Sequence, residues 1–520
     1  MTWEMVVGEE CKGPPRAPLV GTDQQEAFWA ELEHGSDNLV LEARAGTGKS
    51  TSCREGMWRL IDRNPNLVIR YCCFNKKVSE EFGEKSPPMV DVGTMHRFGL
   101  QALRLAFNSA IEKNKTYIML DDCGGANLKR YIRKSISMLV GLAKNHLVIP
   151  SEESRLDDFG TLVSLIDRFD IQTYGQEDRI IDLAWKCLAK SIGTTSIVDF
   201  DDMLWLCVVH DVAFPAIDFL FIDEAQDLNS TQHAMAALMA RSGRTIVVGD
   251  PYQSIYAFRG ADSESMARLQ EQLDATVMPL TVTFRCPRSH VEKARSLVAD
   301  FHAAPNAPEG EWQEHEDESM LGVAKPGDLV LCRANAPLIT ACLKQIQAHR
   351  PATVRGRAIG ESLVSVVSRL GDAPTIPGML KRLDAWKSAE INRLKDRDGT
   401  DDLIEQTLDR AACIEAIARE CGSPPEVPGV IDRLFSDDDS TRMVTFSSVH
   451  RAKGSEARNV LLLDVPYSVK RDKMRPPRPW ELHQRRNLRY VAYTRSLSSM
   501  NLIRRGSGTT SPHLFEGDNE

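Results

Sequence analysis

No run in this 520-residue sequence approaches the roughly 18 apolar residues that a membrane-spanning helix needs. The N-terminus, Met1-Thr2-Trp3-Glu4 followed by Glu9 and Glu10, lacks the basic start and apolar stretch of a secretory signal. The expectation is an intracellular, cytoplasmic protein with no membrane partner. Twelve cysteines are present, but no two have CxxC spacing, and Cys72-Cys73 is the one adjacent pair. A zinc ribbon or an iron–sulfur cluster needs clustered thiols, so these read as reduced, buried, small hydrophobes. Positive charge is also short. The 64 Lys and Arg face 73 Asp and Glu, a net charge of −9. That excludes a basic coat over the whole surface and leaves room for a local basic channel. With 42% hydrophobic and 26% charged residues, extended disorder is excluded too.

What is present is an alternation. Short apolar runs, Leu39–Leu41, Leu67–Ile69, Phe219–Ile222, Ile246–Val248, Leu329–Leu331 and Val460–Leu463, are separated by longer helix-like segments. That pattern predicts an α/β fold with buried parallel strands. The strands fall before and after residue 280, so two α/β cores are expected. Two helical insertions are expected within them. The first, 101–195, contains the basic amphipathic piece Leu128-Lys129-Arg130-Tyr131-Ile132-Arg133-Lys134. The second, 371–439, carries Leu380, Leu383, Ile391 and Leu394 on one helical face and is bounded by Pro374, Pro377 and the acidic run near 437. The cores are then 1–100 with 196–278, and 279–370 with 440–520.

The strongest chemical signal is Ala43-Arg44-Ala45-Gly46-Thr47-Gly48-Lys49-Ser50, directly after an apolar strand and before a potential helix. It is a phosphate-binding loop with Ala43 where the usual pattern begins with Gly. Gly46 and Gly48 let backbone N–H groups turn inward on phosphate oxygens, Lys49 reaches the β- and γ-phosphates, and the Ser50 hydroxyl suits Mg²⁺. A second apolar strand ends in Asp223-Glu224-Ala225-Gln226-Asp227. Acids at the C-terminal end of a parallel strand lie where such sheets bind ligands. Asp223 suits the hold on Mg²⁺ and Glu224 the base that orients and deprotonates the attacking water. By contrast, Asp199-Phe200-Asp201-Asp202 reads as a capped helix start rather than a nuclease metal site.

The segment Val247–Ala261, containing Gly249-Asp250-Pro251-Tyr252-Gln253-Ser254-Ile255-Tyr256-Ala257-Phe258-Arg259-Gly260, resembles motif III of superfamily 1 DNA helicases of the UvrD/Rep type. Asp223–Asp227 resembles their motif II. The resemblance continues in the family's order: Gln24 for the Q motif, Phe74–Lys77 for motif Ia, Gly93–Phe98 for Ib, Thr283–Pro287 for IV, Ser448–Glu456 for V and Asn487–Arg495 for VI. It implies two RecA-like domains with ATP and Mg²⁺ in the cleft between them. Gln24 would read adenine, and Ala45, Gly46, Thr47, Gly48, Lys49, Ser50, Thr51, Phe284, Arg285, Glu456 and Arg495 would complete the nucleotide site. Lys49, Glu224, Gln253, Arg285 and Arg495 would be the catalytic set, with Arg495 an arginine finger in cis and Gln253 sensing the γ-phosphate. Asn75, Thr94, His96, Tyr256, Phe258, Arg259 and His450 would face DNA.

The implied activity is an ATP-dependent single-stranded DNA translocase and helicase, moving 3′ to 5′. It would act on single strands and tailed duplexes as a monomer or weak dimer, beside replication, repair or recombination proteins. An ATPase that remodels protein–DNA complexes without unwinding is the alternative. The sequence departs from the family pattern at Thr51, Ser455 and Arg485, and in the shortness of the second insertion. A basic cluster, Lys470, Arg471, Lys473, Arg475, Arg478, Arg485, Arg486 and Arg489, joins motifs V and VI beside the expected DNA channel.

Overall fold

The computed structural model describes residues 19–151, 153–169, 171–255, 265–395, 401–437, 442–465 and 479–504. Tyr256, Phe258, Arg259 and the cluster from Lys470 to Arg478 lie outside them.

Two all-parallel sheets carry the fold. The first has six strands in the spatial order Asp91–Thr94, Ile69–Cys73, Phe219–Ile222, Arg244–Gly249, Leu39–Ala43, Thr276–Leu280. The Leu39–Ala43 strand sits between the last two in register, Leu39 facing both Ile246 and Thr276. Leu39–Leu41 and Ile246–Val248 are continuous apolar runs because both faces of the sheet are covered there, whereas the edge strand Thr276–Leu280 is mostly exposed. Leu39, Leu41, Phe221, Ile246 and Val248 pack under one face with Phe28, Trp29 and Met57. Val40, Leu220, Ile222 and Val247 pack under the other with Phe98 and Met235. One expected strand is displaced. The ladder begins at Ile69 and runs to Cys73, all buried, whereas Val68 is 49% exposed and gives its N–H to the Asp218 carboxylate at 2.7 Å. Arg70 hides this strand from a hydrophobicity reading. Its guanidinium is buried 4.5 Å over the Phe98 ring.

The second sheet has seven strands in the order Glu311–His315, Ser496–Arg504, Ala457–Asp464, Leu329–Cys332, Val444–Ser448, Ala352–Arg355, Phe435–Ser436. The helices Ile376–Lys395, Asp401–Ala418 and Glu426–Leu434 share its core. Met379, Leu383, Ile414, Ile417 and Ile431 pack in one cluster with Val330, Val354 and Phe446. Asp409, on the second of these helices, accepts the N–H groups of Asn335 at 3.0 Å and Ala336 at 2.8 Å. It thereby caps from outside a helix whose own N-cap, Ala334, has no side-chain acceptor. Phe435–Ser436, inside the stretch expected as an insertion, is the sheet's edge strand.

Between Asp91–Thr94 and Phe219–Ile222, consecutive strands of the first sheet along the chain, the helices Met95–Phe107, Arg130–Asn145, Arg155–Arg168 and Glu177–Gly193 enclose a separate apolar cluster around Ile136, Leu139, Leu165, Leu188 and Trp205. Asp199 and Asp202 lie at its base. Lys115 Nζ is 2.7 Å from Asp202, and Lys144 Nζ is 2.8 Å from both Asp199 and Asp202, all nearly fully buried. Asp199 also accepts the Asp202 N–H at 2.9 Å, the cap expected from the sequence. The cations show why these acids are structural. Removing one partner from such a buried pair leaves an unpaired charge and costs about 3–5 kcal/mol. The Lys144 carbonyl accepts from Thr231 Oγ1 and Asn145 Oδ1 accepts from Asn229 Nδ2 at 2.9 Å, which joins the helical unit to the segment just after Asp223–Asp227.

Candidate nucleotide site and adjoining strand face

The C-terminal ends of the strands Leu39–Ala43, Phe219–Ile222 and Arg244–Gly249 are adjacent in the first sheet, so the loops that follow them converge. Gly46 and Gly48 both take left-handed φ values, +69° and +82°. These turns present the N-terminus of the helix Lys49–Arg63, which has no side-chain cap. Ser50 and Thr51 are exposed in its first turn. Lys49 Nζ lies 3.4 Å from Glu224 Oε1. Burial alone would lower the lysine's pKa, but Glu224, Asp223 and Asp250 together raise it, so it is a fixed cation.

The two acids are pushed apart. Burial and the Glu224 charge raise the Asp223 pKa, with Tyr71 Oη donating to it at 2.8 Å. Burial also opposes ionisation of Glu224, but Lys49, Lys453 and the Gln226 amide prevail and hold it ionised. Glu224 itself takes φ +51°, costly for a non-glycine residue and common where side-chain direction matters.

Gln226 is the joint that sequence reading missed. Its amide donates to Glu224 Oε2 and its carbonyl accepts the Asp250 N–H at 3.0 Å. Asp250 is fully buried and accepts from Gln253 Nε2 at 2.6 Å. An unbroken chain thus runs Lys49–Glu224–Gln226–Asp250–Gln253. Lys453 closes it from the second sheet's side, 2.5 Å from Asp227 Oδ2 and 2.7 Å from the Gln253 carbonyl. Asn487 Nδ2 donates to the carbonyls of Pro251 at 3.1 Å and Ser254 at 2.9 Å.

The residues expected from the second core stand across the same loop. Phe284 is 57% exposed and gives its N–H to the Gly46 carbonyl at 2.9 Å. A Cβ at Gly46 would come within 2.4 Å of the Arg285 Cβ, so only glycine fits this approach. Arg285 Nε is 2.5 Å from Glu456 Oε2. Arg495 is 1% exposed and bound back onto the end of the helix that precedes it, Nε to the Val491 carbonyl at 2.9 Å and a terminal nitrogen to Thr494 Oγ1 at 3.0 Å. Burial and the neighbouring Arg285 lower its pKa to about 10. Gln24 is held by Thr281, which donates its N–H to Oε1 at 2.8 Å.

A further clamp crosses the loop. Arg44 is 4% exposed, bound to both oxygens of Asp300 at 3.0 and 2.6 Å, to Glu42 at 2.8 Å, and 4.6 Å above the Tyr252 ring. Arg486 lies 5.2 Å from the same ring. The Ala45 N–H donates to Tyr490 Oη at 2.8 Å.

The expected DNA residues that are described, Asn75, Thr94, His96 and His450, lie at or just after strand ends. Asn75 and Thr94 each cap a helix, accepting the N–H of Val78 at 2.9 Å and of Arg97 at 3.3 Å. His96 stacks on Phe200 with ring centroids 4.3 Å apart, and burial lowers its pKa to about 4. Phe200 is 65% exposed and Phe74, beside Asn75, is 45% exposed. Neither was singled out as a contact; an exposed Phe at a strand end is the signal that finds both. His450 follows the strand Val444–Ser448 in the second sheet.

Two parallel-sheet cores with a phosphate loop on one and cations from the other facing it define the RecA-like motor class of P-loop proteins. Residues 22–274 match the family model described as the UvrD/REP helicase N-terminal domain, and the chain is similar to proteins of that type. It is 26% identical over 296 residues to DNA helicase II of Rickettsia typhi, covering 51% of this chain and 43% of that protein. It is 22% identical over 290 residues to the ATP-dependent DNA helicase Rep of Escherichia coli, covering 50% and 41%, and 25% identical over 308 residues to UvrD1 of Mycobacterium leprae, covering 51% and 38%. The chain therefore spans less than half the length of each of these relatives. No described helix is long and apolar enough to cross a membrane.

Proposed function

We propose that this protein is an ATP-dependent single-stranded DNA translocase and DNA helicase, with ATP in the cleft between the two parallel-sheet units. The observation that carries the reading is the hydrogen-bonded chain from Lys49 through Glu224, Gln226 and Asp250 to Gln253, beside a loop whose Gly46 packs against Arg285. For the domain division we propose the two sheet units and two helical insertions expected from the sequence, with the strand Thr276–Leu280 running past 278 in the first sheet, the helix Met95–Phe107 running across 100, and Phe435–Ser436 joining the second sheet.

The residues fit a magnesium nucleotide. The glycine turns and the uncapped helix offer N–H groups to phosphate oxygens, and Lys49 is a fixed cation beside them. Ser50 and Asp223 would hold Mg²⁺. Among the described residues no cluster of three ligating side chains is present, as suits an ion held mainly by one or two protein groups and substrate phosphates. Bound Mg²⁺ would supply neutralisation of charge on the β- and γ-phosphates. Glu224, kept ionised by Lys49 and Lys453, orients the attacking water and takes its proton. Arg285 and Arg495 stabilise the charge that grows on the γ-phosphate oxygens, and Arg495 must first leave the Val491 carbonyl. Gln24 reads adenine, and Phe284 and Glu456 complete the nucleotide site.

Phe74, His96, Phe200 and His450 form the strand-binding face, with Asn75 and Thr94 shaping it through their caps. Exposed aromatics there give stacking without sequence preference. Motion along DNA follows if the two units close on ATP and separate after hydrolysis, through Lys453–Asp227 and Asn487–Pro251. The 3′ to 5′ direction rests on the resemblance. The alternative, remodelling without unwinding, is favoured by the second helical stretch, which packs into the core of the second sheet rather than standing apart. Unwinding of 3′-tailed against 5′-tailed duplexes tests direction and mode together. Separation of the 3′-tailed substrate supports the helicase; DNA-stimulated hydrolysis with neither duplex opened supports the remodeller.

A further inference from the structure

The basic amphipathic piece of the helical unit has no part in the nucleotide site. Lys129, Arg130, Arg133 and Lys134 surround the first turn of the helix Arg130–Asn145, which contains no acid in that turn. Cations there oppose the helix dipole and cost the fold stability. Arg133 is used internally, on Asp121 and on the Gly125 carbonyl at 3.0 Å. Lys129, Arg130 and Lys134 are exposed, and none forms an ion pair among the described residues. The acids nearby are otherwise engaged. Asp121 is held by Arg133 and Asp122 by Lys190 at 2.7 Å, while Glu177 and Asp178 open the helix Glu177–Gly193, where its dipole favours them.

Two tyrosines stand among these cations. Tyr131 is 41% exposed and Tyr174 51% exposed, with ring centroids 4.5 Å apart, and Lys129 Nζ is 5.9 Å from the Tyr131 ring. Tyr174 takes φ +53°, beside Gly175 at +72°. A bulky residue in that region is strained, and the strain sets its ring against Tyr131. The loop is fixed from below, where Ser135 Oγ donates to the Gln172 carbonyl at 2.7 Å. Two exposed aromatics in contact, their planes tilted 52° to each other, beside cations without ion-pair partners match unpaired nucleic acid in both chemistries, bases on rings and phosphates on ammonium and guanidinium groups.

The patch is separate from the strand-binding face already described. At its far end the same helix reaches Asn145, which hydrogen-bonds Asp201 at 3.0 Å, next to Phe200. The 16-residue helix puts the tyrosines about 22 Å from that end at 1.5 Å per residue. We propose that Tyr131, Tyr174, Lys129, Arg130 and Lys134 form a second contact for single-stranded DNA, engaged only by a strand long enough to extend from the Phe200 face to the outer end of the helical unit. The proposal rests on the reading of the chain as a DNA motor, and its test separates the two.

The test is direct binding of oligothymidylates by fluorescence anisotropy without nucleotide. It compares the shortest that binds with one lengthened until affinity stops rising. The Tyr131→Ala/Tyr174→Ala variant should lose about tenfold in affinity for the long strand, the worth of a stacked base, and nothing for the short one. Tyr131→Phe/Tyr174→Phe should restore it, since stacking needs no hydroxyl. Replacing Lys129, Arg130 and Lys134 with Gln should lower the salt dependence of long-strand binding, log K against log salt, by about 2. Unchanged long-strand affinity in the alanine variant would overturn the proposal, as would an equal loss at both lengths, or wild-type affinity that does not rise with length. A wild type that binds both lengths as proposed but hydrolyses ATP no faster with DNA would leave the patch standing and remove the motor.

Discussion

The backbone N–H of Ala45, inside the phosphate loop, donates to the Tyr490 hydroxyl at 2.8 Å, a bond across 445 residues of sequence. Tyr490 is fully buried and packs against Phe301 with centroids 5.5 Å apart and Tyr252 at 6.1 Å. The loop is thereby fastened to the helix Pro479–Tyr493, whose end leads directly into Arg495. Tyr490→Phe keeps the ring and removes the acceptor. It should destabilise the protein by about 1–3 kcal/mol through the orphaned N–H, read by urea denaturation.

Arg44 and Asp300 make the second such tie, a bidentate pair in which Arg44 is buried over Tyr252 and the Asp300 carboxylate is half exposed. A double-mutant cycle of Arg44→Ala and Asp300→Ala should give a coupling energy of about 1–3 kcal/mol, above the few tenths of a surface pair. Additive losses would mean that the pair is screened. Arg44→Lys should recover only part, because a lysine cannot span both oxygens.

Glu224→Gln should lower ATP turnover by about 100-fold or more while nucleotide still binds. Turnover measured beside fluorescent-nucleotide binding checks it, and turnover retained by the variant would remove Glu224 as the base. Gln226→Ala is the companion, since it breaks both the bond to Glu224 and the bond from Asp250. It should depress turnover with little change in nucleotide affinity.

How much of this was visible beforehand divides along physical lines. Lys49, Asp223 and Glu224 were legible because each follows an apolar strand within a few residues, and strand ends are where parallel sheets place chemistry. The two-core α/β architecture was legible for the same reason. Gln226, Lys453, Arg44 and Tyr490 were not, because the meaning of each lies in partners from other motifs, up to 445 positions away. Asn75 and Thr94 were expected to touch DNA, and the structure gives each a helix to cap, which a motif cannot reveal. The strand Ile69–Cys73 was misplaced because Arg70, paid for by the Phe98 ring, breaks the apolar run that periodicity follows.

His96 offers a pH test. Burial lowers its pKa to about 4 from an ordinary 6.5. The unfolded chain therefore binds a proton on this residue between those values and the folded chain does not. Stability contributed by neutral His96 is present above pH 6.5 and is lost as pH falls toward 4. His96→Phe keeps an aromatic against Phe200 and removes the titration, so its stability should fall less than the wild type's over that range. Thermal melting from pH 7 to pH 4.5 compares the two, and parallel curves would mean that His96 titrates normally.

Phe200→Ala should weaken single-stranded DNA binding by about 1–3 kcal/mol with nucleotide affinity unchanged, because Phe200 lies on the strand-end face and not in the loop chain. Equal weakening of nucleotide binding would place it in the folding of the site instead.

The central claim is that hydrolysis in this cleft is driven by a DNA strand on the adjoining face. The most direct measurement is the steady-state ATP hydrolysis rate of the purified protein with and without saturating single-stranded DNA. The account predicts a rise of at least tenfold on adding DNA, abolished in Glu224→Gln. A rate that stays flat on adding DNA would contradict it.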